Sequence, residues 1–238
     1  MIREIYFIGD VHNAIHNLLE EVIARDLQNT DLIQVGDFGI GMPQVDWDLY
    51  EQTYSGLSDE LGKRNCELYV VRGNHDNPRY FDGKFGYDHI TFVKDYSVIP
   101  FSNVYNILFI GGGVSIDRTY RSAINLGHWD NSIVDMDITK LDNIEPIDIV
   151  VSHSNTTFAY PNSALPSSVV NYWRKFDKEL WNDIVLERRY MTTVYEKLKV
   201  NEHPIKLWVY GHYHNSNTQI YEDTEFKLLN INEWYKFK

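Results

Sequence analysis

Glu67-Leu68-Tyr69-Val70-Val71-Arg72-Gly73-Asn74-His75-Asp76-Asn77 runs a short apolar, β-branched segment straight into a glycine followed by three side chains able to do chemistry. The segment predicts a strand buried on both faces, and Gly73 a tight turn where a Cβ would obstruct an ion or a substrate. Beyond it, Asn74 offers a neutral amide oxygen, His75 a proton carrier near neutral pH, and Asp76 a carboxylate. Two uses of Asp76 stay open: orienting the imidazole of His75, or capping the local backbone as turn residues do.

The same punctuation occurs upstream. Residues 5–8 predict a strand ending at Gly9-Asp10-Val11-His12, followed by a helix with Ile15, Leu18, Leu19, Val22 and Ile23 at helical spacing and Asn13 as its cap. Residues 31–36 predict a second strand, ending at Gly36-Asp37-Phe38-Gly39. A one-sided helix over 45–62 follows, with Leu49, Tyr50, Thr53, Leu57 and Leu61 apolar or neutral. Strand, polar loop and helix in alternation imply an α/β sheet whose reactive groups gather at the carboxyl ends of parallel strands. Shorter strands are expected at 90–93, 105–110, 147–152, 206–211, 218–222 and 226–231, forming a second sheet packed on the first. Between them, 167–200 reads as one or two aromatic-rich helices, serving either as a cover for the core or as a lid or partner surface.

The chain has 238 residues, 43% hydrophobic and 24% charged, as expected of a single globular domain spanning 1–238. A formal charge of −12 opposes general affinity for nucleic-acid backbone. Cys66 is the only cysteine, so an intramolecular disulfide and a thiolate metal cluster are excluded, and metal binding falls to oxygen and imidazole. The apolar run at 5–8 is too short for a secretory or membrane segment, which makes the cytoplasm the expected location.

The polar groups at predicted strand ends are Asp10, His12, Asp37, Asn74, His75, Asp76, His153, His212 and His214. In an extended strand end, residues i and i+2 point to the same side, so Asp10 with His12, and His212 with His214, can each face one centre. The series Gly9-Asp10-x-His12, Gly36-Asp37, Gly73-Asn74-His75-Asp76, an isolated His153 and Gly211-His212-x-His214 resembles the calcineurin-like metallophosphoesterase family in residues and in order. The resemblance implies a four-layer α/β/β/α sandwich, with two mixed β-sheets flanked by helices, in which the helical stretch read from the residues at about 167–200 is an insertion. It also implies two divalent metal ions (manganese, iron or zinc, with manganese favoured) and hydrolysis of phosphate mono- or diesters. Carried over residue by residue, Asp10, His12 and His214 would hold one ion, Asn74, His153 and His212 the other, and Asp37 would bridge them. A metal-bridging hydroxide would be the nucleophile and His75 the general acid, oriented by Asp76.

Asn13 stands where many family members have glycine, and Phe38 where many have a second acidic residue; neither departure removes a ligand. Gly111-Gly112-Gly113 and the residues up to Arg121 suggest a phosphate-cradling turn, with Arg118 and Arg121 as candidate substrate contacts. Asn155, Tyr160 and Asn162 lie where a loop can reach substrate. His16, His89, His128 and His203 fall outside the motifs and are expected to pack or sit at the surface. A small phosphorylated substrate is the expected partner. The alternatives are a nuclease of the same family, which the acidic composition disfavours, and a catalytically silent metal-binding scaffold.

Overall fold

The computed structural model describes residues 3–43 and 46–237. Its elements in chain order are β1 (Glu4–Ile8), α1 (Ile15–Ala24), β2 (Thr30–Gln34), α2 (Trp47–Lys63), β3 (Glu67–Val70), β4 (Gly86–Tyr87), β5 (Ile90–Phe92), β6 (Val98–Phe101), β7 (Tyr105–Ile110), α3 (Arg118–Ala123), β8 (Ile149–Ser152), α4 (Ser168–Trp173), α5 (Leu180–Val200), β9 (Leu207–Tyr210), β10 (Asn217–Tyr221), β11 (Thr224–Leu228) and β12 (Trp234–Lys236). They form two six-stranded mixed sheets, ordered β12-β1-β2-β3-β5-β4 and β10-β11-β9-β8-β7-β6. The sheets and their flanking helices make the four-layer sandwich.

The layering follows from which face each side chain serves. Ile5, Phe7, Ile33 and Val35 of the first sheet meet Ile107, Phe109, Val151 and Val209 of the second, forming the apolar layer between them. Leu32, Leu68 and Val70 point the other way, onto Leu18 and Val22 of α1 and Tyr54, Leu57 and Leu61 of α2. On the far side, Val150, Trp208 and Phe226 receive Met191, Val194, Tyr195 and Leu198 of α5. Strands covered on both faces read as continuous apolar runs, which is why short apolar runs, rather than alternation, located them. α5 is therefore the expected core cover.

Several local expectations are corrected. Asn13 does not cap α1: the capping position is Ala14, without a side-chain bond, and Asn13 sits at φ +66° with its N–H donated to Phe38 O. Val45, where the second helix was expected to begin, lies outside the described residues; α2 is capped by Asp46, whose carboxylate accepts from Asp48 N at 3.0 Å. Leu49 is exposed, and the inner face runs through Tyr50, Tyr54, Leu57, Ser58 and Leu61 instead. β5 belongs to the first sheet, pairing parallel with β3, rather than to the second. Among the described residues no helix is long and apolar enough to cross a membrane.

Tyr54 carries a testable energetic consequence. Its ring stacks between Phe38 and Tyr50, at 5.6 and 5.3 Å between centroids, yet its buried hydroxyl has no hydrogen-bond partner among the described residues. Tyr54→Phe keeps the ring contacts and removes an unpaired polar group, so it should stabilise by about 1 kcal/mol. Thermal unfolding should then shift upward by roughly 2–4 °C. A lowered midpoint would show that the hydroxyl is bonded.

Candidate active site

The loops that leave β1, β2, β3, β8 and β9 converge at one edge of the sandwich, and backbone bonds fix their relative positions. Val11 N and His12 N both donate to Asp37 O, at 3.1 and 2.8 Å, and His212 N donates to the Asp10 carboxylate at 3.1 Å. His12, Asp37, His212 and His214 all hold the left-handed backbone, at φ +48°, +57°, +72° and +48°. Non-glycine residues rarely adopt that conformation, and strain of this kind collects at functional sites. Two glycines make room for carboxylates: a Cβ on Gly73 would lie 2.1 Å from Asp37 Oδ1, and one on Gly211 would lie 2.1 Å from Asp10 Oδ1.

The side chains meet in two groups, Asp10, His12, Asp37 and His214 in one and Asp37, His153 and His212 in the other, each with donor atoms within 4.8 Å of one another. Asp37 is common to both. Within the first group His214 Nε2 lies 3.3 Å from Asp10 Oδ2 and 2.9 Å from His12 Nε2. Within the second, His153 Nε2 lies 3.4 Å from Asp37 Oδ1 and 3.0 Å from Asn74 Oδ1. His153 Nδ1 faces Val35 O at 3.0 Å; a proton donated there leaves the Nε2 lone pair directed at the centre. Oxygen and imidazole donors facing a common point, with ring nitrogens turned toward one another, are the donor set that divalent ions of this chemistry require, so the residues present fit a metal pair.

The electrostatics are those of a shared anion among imidazoles. Burial pushes the Asp37 carboxyl up, but the facing His75 and His153 rings outweigh it and hold it well below the usual carboxylate range. Burial lowers His153, yet Asp37 more than compensates and lifts it to about 9. Burial also lowers His212 and His12.

Asp76 does not orient His75. Its carboxylate accepts from Gly73 N at 2.8 Å, Gly39 N at 2.6 Å, Ile40 N at 3.1 Å and Phe38 N at 3.2 Å, which binds the β2 and β3 loops together. His75 Nδ1 is buried without a partner among the described residues, and its Nε2 lies 3.8 Å from Asp37 Oδ2. Backbone capping, the second use left open by the sequence, is the one adopted.

The expected phosphate-cradling turn is also corrected, because its N–H groups are already occupied. Gly111 N donates to Asp95 Oδ1, Gly112 N to Arg72 O and Gly113 N to Ser132 O, at 2.9, 2.6 and 3.0 Å. Arg118 is turned away from the site, pairing with Asp177 and Asp183 at 2.5 Å each, and so ties α3 to the start of α5. Arg121 does border the cavity but is held by Asp117 at 2.9 Å and Leu126 O at 3.1 Å. Asn155 is buried, accepting from the Tyr213 hydroxyl and donating to Tyr160 O. His203 and His89 pack as expected, on Ile147 N and Glu67 respectively.

Two contributors carried no motif. Ser115 Oγ accepts from Asn74 Nδ2 at 2.8 Å and thereby leaves the Asn74 oxygen facing His153. Buried Arg72 donates to Asp95 and to the carbonyls of Asn131, Ser132, Ile133 and Gly111, fastening the loop after β3 to its neighbours. Both depend on partners far away in the chain, which no local pattern announces. Above the convergent donors opens a cavity of about 650 Å³, bordered by His12, Asp37, Asn74, His75, His212 and His214 on one side and by α4 and the first turns of α5 on the other.

Residues 3–216 match the calcineurin-like phosphoesterase family, and the chain belongs to it. Membership gives the general activity, metal-dependent hydrolysis of a phosphorylated substrate. Among solved structures, a dimetal phosphatase from Danio rerio is similar at 11% identity over 97% of this chain and 88% of its own, with a TM-score of 0.51. The phosphopantetheinyl hydrolase of Mycobacterium tuberculosis is similar at 15% identity over 97% and 90%, with a TM-score of 0.46. At 11% identity the likeness to the dimetal phosphatase is one of fold. No curated protein sequence matches the chain.

Proposed function

We propose that the protein hydrolyses phosphate mono- or diesters at a centre of two divalent ions, with manganese favoured. Asp10, His12 and His214 would hold one ion, Asn74, His153 and His212 the other, and Asp37 both. When bound, the pair supplies positive charge for the phosphoryl oxygens and acidity for the attacking water. The observation that carries this reading is that two donor groups at strand ends share the single buried carboxylate of Asp37.

The remaining work falls to the protein's own groups. Asp37 places negative charge where two cations would otherwise repel. His153 and Asn74 are held from behind, by Val35 O and Ser115, so that little reorganisation accompanies ion binding. His75 borders the cavity beside these donors, without being among the assigned ligands, and we assign it as the donor of a proton to the leaving oxygen.

Stripping the purified protein with a chelator should lower turnover of a chromogenic phosphate ester by at least about 10³, and manganese should restore it. Activity that survives complete removal of metal overturns the proposal.

A further inference from the structure

The wall facing the donor centre is of a different character. Leu165 and Pro166, Val169 and Val170 of α4, and Trp181 and Ile184 of α5 border the same cavity as His12, His75 and His214. Leu165 is 74% exposed and Val169 52%, although both are aliphatic and stand beside the chemistry. Apolar surface left facing a cavity of this volume is the ordinary lining of a site that takes an apolar ligand body, with a few polar groups fixing one end.

The charged groups of the cavity are few. Arg121 is held by Asp117 and Leu126 O, a pair without net charge. Arg188 donates to the carbonyls of Thr156 and Ala159 at 2.7 and 2.9 Å, its Nε has no partner among the described residues, and burial pushes the carboxyl of neighbouring Glu187 up. The polar lining can therefore hold the phosphoryl end of a ligand, whereas Leu165 and Val169 are left for an uncharged chain or ring to cover.

We infer that the substrate is a phosphate ester of a large apolar alcohol, with its phosphoryl group at the donor centre and its alkyl or aryl body against α4 and the first turns of α5. The inference rests on the phosphoesterase reading for its chemistry. In the reaction a water oxygen bonds to phosphorus, the bond from phosphorus to the alcohol oxygen breaks, and that oxygen takes a proton, giving phosphate and the free apolar alcohol.

Alkylphosphonates, which lack the cleavable ester bond, separate binding from turnover. Calorimetric titration of the manganese-loaded protein with methyl-, butyl- and octylphosphonate should show affinity rising at least tenfold along the series. The ceiling is set by about fourfold per buried methylene, the equivalent of roughly 0.8 kcal/mol. In Leu165→Ser/Val169→Ser, whose replaced side chains are exposed and lie outside the core, the rise should shrink to less than about threefold. A second variant, Trp181→Ala, should flatten it in the same way. An unchanged affinity from methyl to octyl in the wild type, no binding of octylphosphonate, or a slope retained by both variants overturns the inference.

Phosphate release from the corresponding alkyl phosphates tests the underlying reading separately. Hydrolysis without chain-length dependence keeps the phosphoesterase and removes the apolar substrate. A steep binding series with no hydrolysis does the reverse.

Discussion

Replacing Asp37 with alanine is expected to strip the protein of both ions and to lower turnover of a phosphate ester by about 10³ or more, the scale of losing a donor aimed at developing charge. The size of the effect follows from position. Asp37 is buried, belongs to both donor groups, accepts His75 N at 2.8 Å and faces His153 Nε2 at 3.4 Å. Without its charge, two cations held on opposite sides would face each other uncompensated. Asp37→Asn separates charge from shape, because the amide oxygen still accepts from His75 N while the anion is gone. It should fold as the wild type does and carry as little metal as the alanine variant. Metal content per chain, measured beside the turnover rate, decides the matter: full occupancy in Asp37→Asn would show that the shared carboxylate does not hold the pair together.

How far the sequence revealed this site depends on the range of the interactions involved. Strand ends were legible because an apolar run followed by Gly-Asp or Gly-Asn is a local pattern, which placed β1, β2 and β3, while the apolar runs alone placed β7, β8 and β9 to within a few residues. β4, β6 and β12 were missed. β4 is a two-residue edge strand, β6 contains Pro100 and lies at a sheet edge, and β12 adds to β1 antiparallel from the opposite end of the chain, so none carries a long apolar run. The ligand residues were legible in kind, since hard donors after glycines are conspicuous. Their hydrogen bonding was not: whether Asp76 turns to His75 or to four backbone N–H groups depends on how β2 and β3 come to lie side by side. The glycines at 111–113 failed for the same reason, because their N–H partners Asp95, Arg72 and Ser132 arrive from elsewhere in the chain. The 167–200 stretch divided the two roles it was given. α5 turns Met191, Val194 and Leu198 to the core, while α4 and Trp181 wall the cavity.

His75→Ala and Asp76→Ala should fail in opposite ways, and the contrast is the strongest test of how the two neighbours divide their work. The His75 ring has no hydrogen-bond partner at Nδ1 among the described residues and is not among the assigned ligands, so its loss should leave metal content and thermal midpoint close to wild type. Turnover should nonetheless fall by about 10²–10⁴, the usual range for a positioned general acid, and the fall should be largest for esters with poor leaving groups, which depend most on a proton. Asp76 sits elsewhere in the energetics. Burial and the nearby Asp37 charge raise its carboxyl to about 6, against the pull of the backbone N–H groups it accepts, so it stays largely ionised at neutral pH. Truncating it strands four buried donors, Gly73 N, Gly39 N, Ile40 N and Phe38 N, each costing on the order of 1–3 kcal/mol when unpaired. A destabilisation of about 4 kcal/mol or more is expected, large for a single substitution. In a chain of this size that lowers the thermal midpoint by roughly 8–16 °C. Well below that midpoint, whatever fraction remains folded with metal should still distinguish good from poor leaving groups as the wild type does. If Asp76→Ala instead melts with the wild type and reproduces the leaving-group profile of His75→Ala, the carboxylate does act through the imidazole, and its four backbone bonds are incidental to its role.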